Sequence, residues 1–258
     1  MRSWSSMADD SSDRVRLRDV AIVGGGCYGS FYAGQLVRAQ RAGRAEYRRI
    51  LVVDRDPACR VAGDPDLAVG VQLVVEDWDA FFDRWLGSSA AQGPGEPPDT
   101  IVPSPLMPHL MYDWLLRRAR GRWPGRVVER RPVPAGPGTP YDVTGPDRTR
   151  YLSFADWTCP VHCIEPAICP VIRAPRTWEM GESLQRLTAT LALARPTEGP
   201  VLFLCRHRLY GVGMFDVDSV LEGDRVVERA GTTHEAVDVL VGTVSSCHGA
   251  AGILHVGP

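Results

Sequence analysis

Three cysteines, Cys159, Cys163 and Cys169, fall within eleven residues at C-x3-C-x5-C spacing, with His162 among them. Thiolates are soft ligands suited to zinc or to iron–sulfur clusters, so these three are read as metal ligands. A four-coordinate site needs one more donor, and His162, Cys205, Cys247 and His248 can each supply it. Two other readings stay open. One is a set of buried free thiols in a proline-braced loop. The other is a single reactive thiolate whose pKa is lowered by Arg173 or Arg176. The same arginines suit an anionic substrate or a cofactor phosphate. Glu165 reads first as a solvated loop carboxylate and second as a general acid or base.

The second chemical pattern lies far upstream. Gly24-Gly25-Gly26-Cys27-Tyr28-Gly29 satisfies G-x-G-x-x-G directly after the apolar run Val20–Val23. Gly24 permits a tight turn out of the strand, and Gly26 lets backbone N–H groups approach a pyrophosphate. Gly29 lets the following helix pack closely on the sheet. The phosphates would sit at the helix N-terminus, where free N–H groups and the helix dipole favour negative charge. Asp54 ends the next apolar run, Ile50–Val53, and its carboxylate can accept hydrogen bonds from a ribose diol. It also argues against a 2′-phosphate, while Arg55 beside it could accept one.

The stretches GGGCYGSFYA and VVDRD make residues 18–56 resemble the superfamily of NAD(P)- and FAD-binding Rossmann proteins. The resemblance implies a βαβ unit and a dinucleotide held by Gly24, Gly25, Gly26, Cys27, Tyr28, Gly29, Asp54 and Arg55. It implies no substrate. A second flavin motif ending in Gly-Asp is not evident near the C-terminus, which favours NAD over FAD. Proline after Cys159 and Cys169 is similar to the ends of bacterial ferredoxin motifs, but the spacing matches neither those motifs nor a zinc ribbon. The metal identity is therefore open.

The elements that must position these residues follow from periodicity. Helices are expected over Tyr28 to Ala42, Asp77 to Leu86, Leu110 to Arg120 and Glu182 to Ala194. Strands are expected at Val69–Val75, Arg126–Glu129, Val201–Cys205, Leu209–Val217 and, last, Val237–Val244. Residues 88–108 and 132–150 are rich in proline and glycine and read as loops. Ser245–Gly249 closes the last strand. Because ligands bind outside the carboxyl ends of strands, His248 there is a candidate proton donor or acceptor. His109, His207 and His234 read as ordinary polar residues.

The pattern implies an α/β fold: an open, mostly parallel Rossmann-like sheet with helices on both faces and a Cys/Pro-rich insertion. Residues 1–17 are expected to be disordered. Residues 18–258 form one dinucleotide-binding domain with insertions at 88–108 and 132–180.

All 29 basic residues are arginine. The chain therefore cannot form a lysine Schiff base or supply a phosphate-loop lysine. A net charge of −2 gives no basic excess for nucleic acid. No signal peptide or membrane span is evident, so the expected location is cytoplasmic and the cysteines reduced. The expected function is that of an NAD- or FAD-binding oxidoreductase or reductase component, with a Cys-ligated zinc or iron–sulfur site. The alternatives are a non-catalytic NAD(P)-binding sensor or adaptor with a protein partner, and an S-adenosylmethionine-dependent transferase.

Overall fold

The structure is a computed structural model that describes residues 14–89, 95–160, 163–233 and 235–258. The first sheet is built from β2 (Asp19–Val23), β4 (Arg49–Asp54), β5 (Val71–Val75), β6 (Thr100–Val102), β11 (Arg206–Leu209) and β12 (Val212–Asp216). Its order is β11-β12-β6-β2-β4-β5. The β2–β4, β4–β5 and β2–β6 pairs are parallel, whereas β12 runs antiparallel to both β6 and β11. Every residue of β2 is buried, as the middle of a parallel sheet requires. After β2 the chain moves outward to β4 and β5, then returns to β6 on the other side of β2. The strand order therefore reverses between β2 and β6.

The second sheet contains β7 (Val128–Arg131), β8 (Tyr141–Thr144), β9 (Arg150–Ser153), β10 (Thr197–Leu204), β13 (Val237–Val244) and β14 (His248–Val256). Only β10 and β13 pair in parallel, while β14 runs antiparallel to β13, β9 and β7. Helices α2 (Trp78–Ser89), α3 (Leu110–Arg122) and α5 (Val217–Gly231) lie between the sheets. Their apolar faces join Val23 and Val53 of the first sheet and Phe203 and Val241 of the second in one buried cluster. The outer face of the first sheet is covered by α1 (Cys27–Arg41), and that of the second by α4 (Met180–Ala192).

This architecture corrects the expected open, mostly parallel sheet. Both sheets are mixed, and the second is largely antiparallel. In the first sheet the cause is the β11–β12 hairpin, and in the second it is the link after Val244. Residues 245–247 are too few for a parallel crossover, which takes about a dozen residues, so β14 folds back on β13 as a hairpin. The segment after Val244 had the appearance of a tail because its small residues Gly249, Ala250, Ala251 and Gly252 give little strand signal. A side chain on Gly252 would sit 3.1 Å from the Tyr112 ring.

Further elements lie where none was expected, among them β6 inside the 88–108 loop, β8 and β9 inside the 132–180 insertion, and α5. The Cys/Pro-rich insertion shrinks accordingly, because β8 and β9 belong to the second sheet. At the N-terminus, β1 (Val15–Arg16) pairs with β3 (Ala45–Glu46) and Leu17 is buried. Order thus begins before residue 18, and the rest of the expected disordered segment, residues 1–13, lies outside the described residues. Among the described residues, no helix is long and apolar enough to cross a membrane.

Candidate functional site

Two regions carry the residues singled out by chemistry. At the first, Gly24 turns the chain out of β2 with φ +86°, a conformation that disfavours any side chain. Its N–H donates to the Val53 carbonyl at 2.9 Å. Gly25 N–H donates to Asp54 Oδ2 at 2.6 Å, and Asp56 N–H donates to Asp54 Oδ1 at 2.9 Å. Asp54 thus first holds the turn in shape, while each carboxylate oxygen keeps a second lone pair for a hydroxyl.

A Cβ on Gly29 would lie 1.8 Å from the Gly24 carbonyl oxygen, so α1 can pack on the turn only through glycine. A Cβ on Gly26 would meet nothing within 4 Å. Helix α1 starts there with no side-chain cap and no acid in its first turn, and Cys27 and Tyr28 are exposed. Its first N–H groups are therefore open to an anion. Arg55 is engaged elsewhere, 3.8 Å from Asp77 and stacked over the Trp78 ring.

The second region gathers around the turn between β13 and β14. Phe154 N–H donates to the Cys247 carbonyl at 2.9 Å, and Met180 N–H donates to the Ser246 carbonyl at 3.0 Å. Both ends of the cysteine segment are thereby tied to this turn. From within the segment, Glu165 accepts hydrogen bonds from Ser245 Oγ at 2.7 Å and from the N–H groups of Ser246 and Cys247 at 2.8 and 3.3 Å. Its φ of +50° lies in the left-handed region, which costs a non-glycine residue roughly 1–2 kcal/mol. Glu165 is therefore a buried organiser and not a solvated carboxylate. Burial alone would raise its pKa. His207, with Nδ1 at 3.7 Å, together with Ser245 and the Ser246 N–H, outweighs burial and holds it at about 2.

His248 stands at the start of β14. Its Nδ1 is 3.0 Å from Ser153 Oγ and its Nε2 is 3.8 Å from Cys159 Sγ. The residue is exposed, with its ring turned towards Ser153 and Cys159. Desolvation of the ring, with His207, holds its pKa below the usual range against the pull of Glu165. The thiols move the other way. Burial raises Cys159, and the neighbouring Cys163 and Cys169 add to the effect. Burial also pushes Cys205 and Cys247 up to about 12, with Glu165 contributing to both. The expectation of a thiolate lowered by Arg173 or Arg176 is corrected for Cys159 and Cys247. Arg173 is exposed, and Arg176, paired with Glu179, pulls Cys247 down by less than burial raises it.

Three cavities meet around His207, and Glu165 lines two of them. The first, of about 430 Å³, is lined by Tyr32 of α1, Ser104 just beyond β6, Tyr151, Cys205, Ser245 and His248. A second, of about 150 Å³, is lined by Cys159, Cys163, Cys169 and Cys247, with Trp157 and Arg176. The third and largest, about 540 Å³, is lined by Glu165, Glu179, Glu182, Arg206, His207 and Ser245.

The structure thus brings the three expected cysteines together with Cys247 and His248. Cys205 lines the neighbouring cavities instead, and His162 and His234 lie outside the described residues. Among the described residues, no three His, Cys, Asp or Glu side chains converge closely enough to hold a single metal ion. His109 is buried against the Tyr112 ring, 3.3 Å from Thr243 Oγ1. Sequence reasoning missed Ser153, Trp178 and the role of His207, because their partners, His248, Cys247 and Glu165, are distant in the sequence.

A family model described as "Uncharacterized protein, C-terminal domain" matches residues 111–257, more than half of the chain, and the chain belongs to that family. The matched span holds the second sheet and all four cavity cysteines, and it leaves the glycine turn outside. No curated protein and no solved structure matches the chain.

Proposed function

We propose that this member of the family is an oxidoreductase that binds NAD or FAD on the Gly24–Gly29 turn. One observation carries the reading. Within a single turn, Gly29 has no room for a side chain, while Gly26 faces open space beside the uncapped start of α1. The first feature draws the helix onto the strand, and the second leaves backbone N–H groups clear for a pyrophosphate.

The position in the sheet supports the same reading. The turn follows β2, next to the point where the strand order reverses, which is where open α/β sheets take ligands. The cavity of about 430 Å³ lies on that side and reaches from Tyr32 of α1 to His248. A nicotinamide or flavin ring bound there would supply hydride transfer. The chain's own contribution is a polar edge of Ser245 and His248, whose imidazole, with its pKa lowered by desolvation, can accept a proton. Asp54 at the end of β4 favours a free ribose diol over a 2′-phosphate, and Arg55, occupied by Asp77 and Trp78, does not offset it.

Calorimetric titration with NAD⁺, NADH and FAD tests the proposal. At least one should bind, and Gly26→Val should weaken it by roughly tenfold or more, about 1.4 kcal/mol. The variant should keep its fold, because the added side chain points into open space. Equal binding by the variant and the parent protein would falsify the assignment.

A further inference from the structure

We infer that the small cavity lined by Cys159, Cys163, Cys169 and Cys247 holds an iron–sulfur cluster ligated by these four thiolates. This inference stands apart from dinucleotide binding and rests on different residues.

The choice of Cys247 is structural. The C-x3-C-x5-C run supplies three ligands and leaves the fourth among His162, Cys205, Cys247 and His248. Of these, both Cys247 and His248 line the cavity with the other three cysteines, whereas Cys205 lines the neighbouring ones; a thiolate is the usual ligand of a cluster, which selects Cys247. The position of Cys247 relative to the segment is fixed from both sides. The Phe154 and Met180 N–H groups hold its turn at either end, and Glu165 holds it in the middle.

A single tetrahedral zinc needs all four sulfurs about 2.3 Å from one point. Here the four cysteines line a volume of about 150 Å³. A cluster occupies such a volume and takes its ligands from the corners.

The cavity wall is furnished for sulfur acceptors. Glu165 N–H donates to Cys163 Sγ at 3.4 Å, and Trp178 Nε1 donates to Cys247 Sγ at 3.3 Å. One more buried donor on the wall, Arg176 Nε, has no hydrogen-bond partner among the described residues, and the Trp157 indole faces Cys159. Buried donors left unpaired are costly, and bound thiolates or sulfides would satisfy them. The Arg176 guanidinium also offsets negative charge. Assembly releases one proton from each thiol as its sulfur binds iron.

The test is anaerobic reconstitution of the full chain with ferric iron, sulfide and excess dithiothreitol. The expected product is brown, with equal iron and acid-labile sulfide and a paramagnetic signal on dithionite reduction. Single serine replacements at Cys159, Cys163, Cys169 and Cys247 should each cut cluster content by about tenfold, and Cys205→Ala should not. Circular dichroism of each apo variant separates ligand loss from misfolding. Gly26→Val should load normally, so failure of the dinucleotide reading would leave this result intact. Uptake of one zinc with no iron, no uptake at all, or full loading of Cys247→Ser would each overturn the assignment.

Discussion

The glycine turn and the cysteine cavity are both built around an N–H-rich surface, but they are made in opposite ways. The turn is a backbone device. Six consecutive residues form it, one carboxylate from the next strand braces it, and its function depends on side chains that are missing. The cavity is a side-chain device. Its cysteines come from a 154–180 segment with little regular structure and from the β13–β14 turn 78 residues beyond Cys169, and it exists only once the second sheet has formed. One region should therefore be broken by adding atoms, and the other by removing them.

The largest effect should come from adding one carbon to the turn. Gly29→Ala places a Cβ 1.8 Å from a backbone oxygen that cannot rotate away. Overpacking of this kind costs on the order of 3 kcal/mol, and more where the backbone must shift. Gly26→Ala, three residues earlier, should cost no more than about 1 kcal/mol, the scale of a helix-cap change. Urea unfolding of the two variants measures the contrast. Similar losses for both would mean that the close approach of α1 to Gly24 is not a feature of the fold.

The next effect belongs to the cavity and depends on pH. Glu165 has its pKa held at about 2, against an ordinary 4.5. A depressed carboxyl stabilises the folded state above its unfolded pKa, and that contribution fades as pH falls from about 4.5 towards 2. A shift of this size corresponds to roughly 3 kcal/mol. Glu165→Gln keeps the shape but loses the charge, so it should lower stability by about 2–3 kcal/mol at pH 7. It should also flatten the acid limb of the stability curve. If parent and variant lose stability in parallel between pH 5 and 2, Glu165 does not organise the 245–247 turn.

The same contrast explains what could be read in advance. The β2–α1–β4 unit is local, so its periodicity and glycine spacing lie in one stretch of about 36 residues, from Asp19 to Asp54. The three clustered cysteines were equally visible. Cys247 was one of four candidates for the fourth ligand and could not be singled out, because it reaches them through a hairpin whose second strand is masked by small residues. Glu165 was misjudged for a related reason. A carboxylate between two cysteines in a proline-rich loop looks solvated, and only the distant N–H groups of Ser246 and Cys247 make it a buried acceptor. The antiparallel half of the fold was obscured in the same way, since strands of three or four residues such as β6 and β8 carry too short a pattern to distinguish from loop.

The smallest effect is the most specific to the cavity side of the comparison. Ser153 Oγ donates to the Ala155 carbonyl at 2.7 Å and accepts from the Ala155 N–H at 2.9 Å. Its single proton is thereby used, so His248 Nδ1, at 3.0 Å, must be the donor to Ser153. In the neutral ring Nε2 then carries the lone pair and faces the Cys159 thiol. Ser153→Ala removes this constraint at a cost of about 1 kcal/mol. Nitrogen-15 spectra of the metal-free protein should show the Nδ1–H form in the parent and a mixture of tautomers in the variant. A parent ring already in the Nε2–H form would reverse the assignment and leave the thiol without an acceptor on that side. The glycine turn, which places no imidazole, should be unaffected by this change.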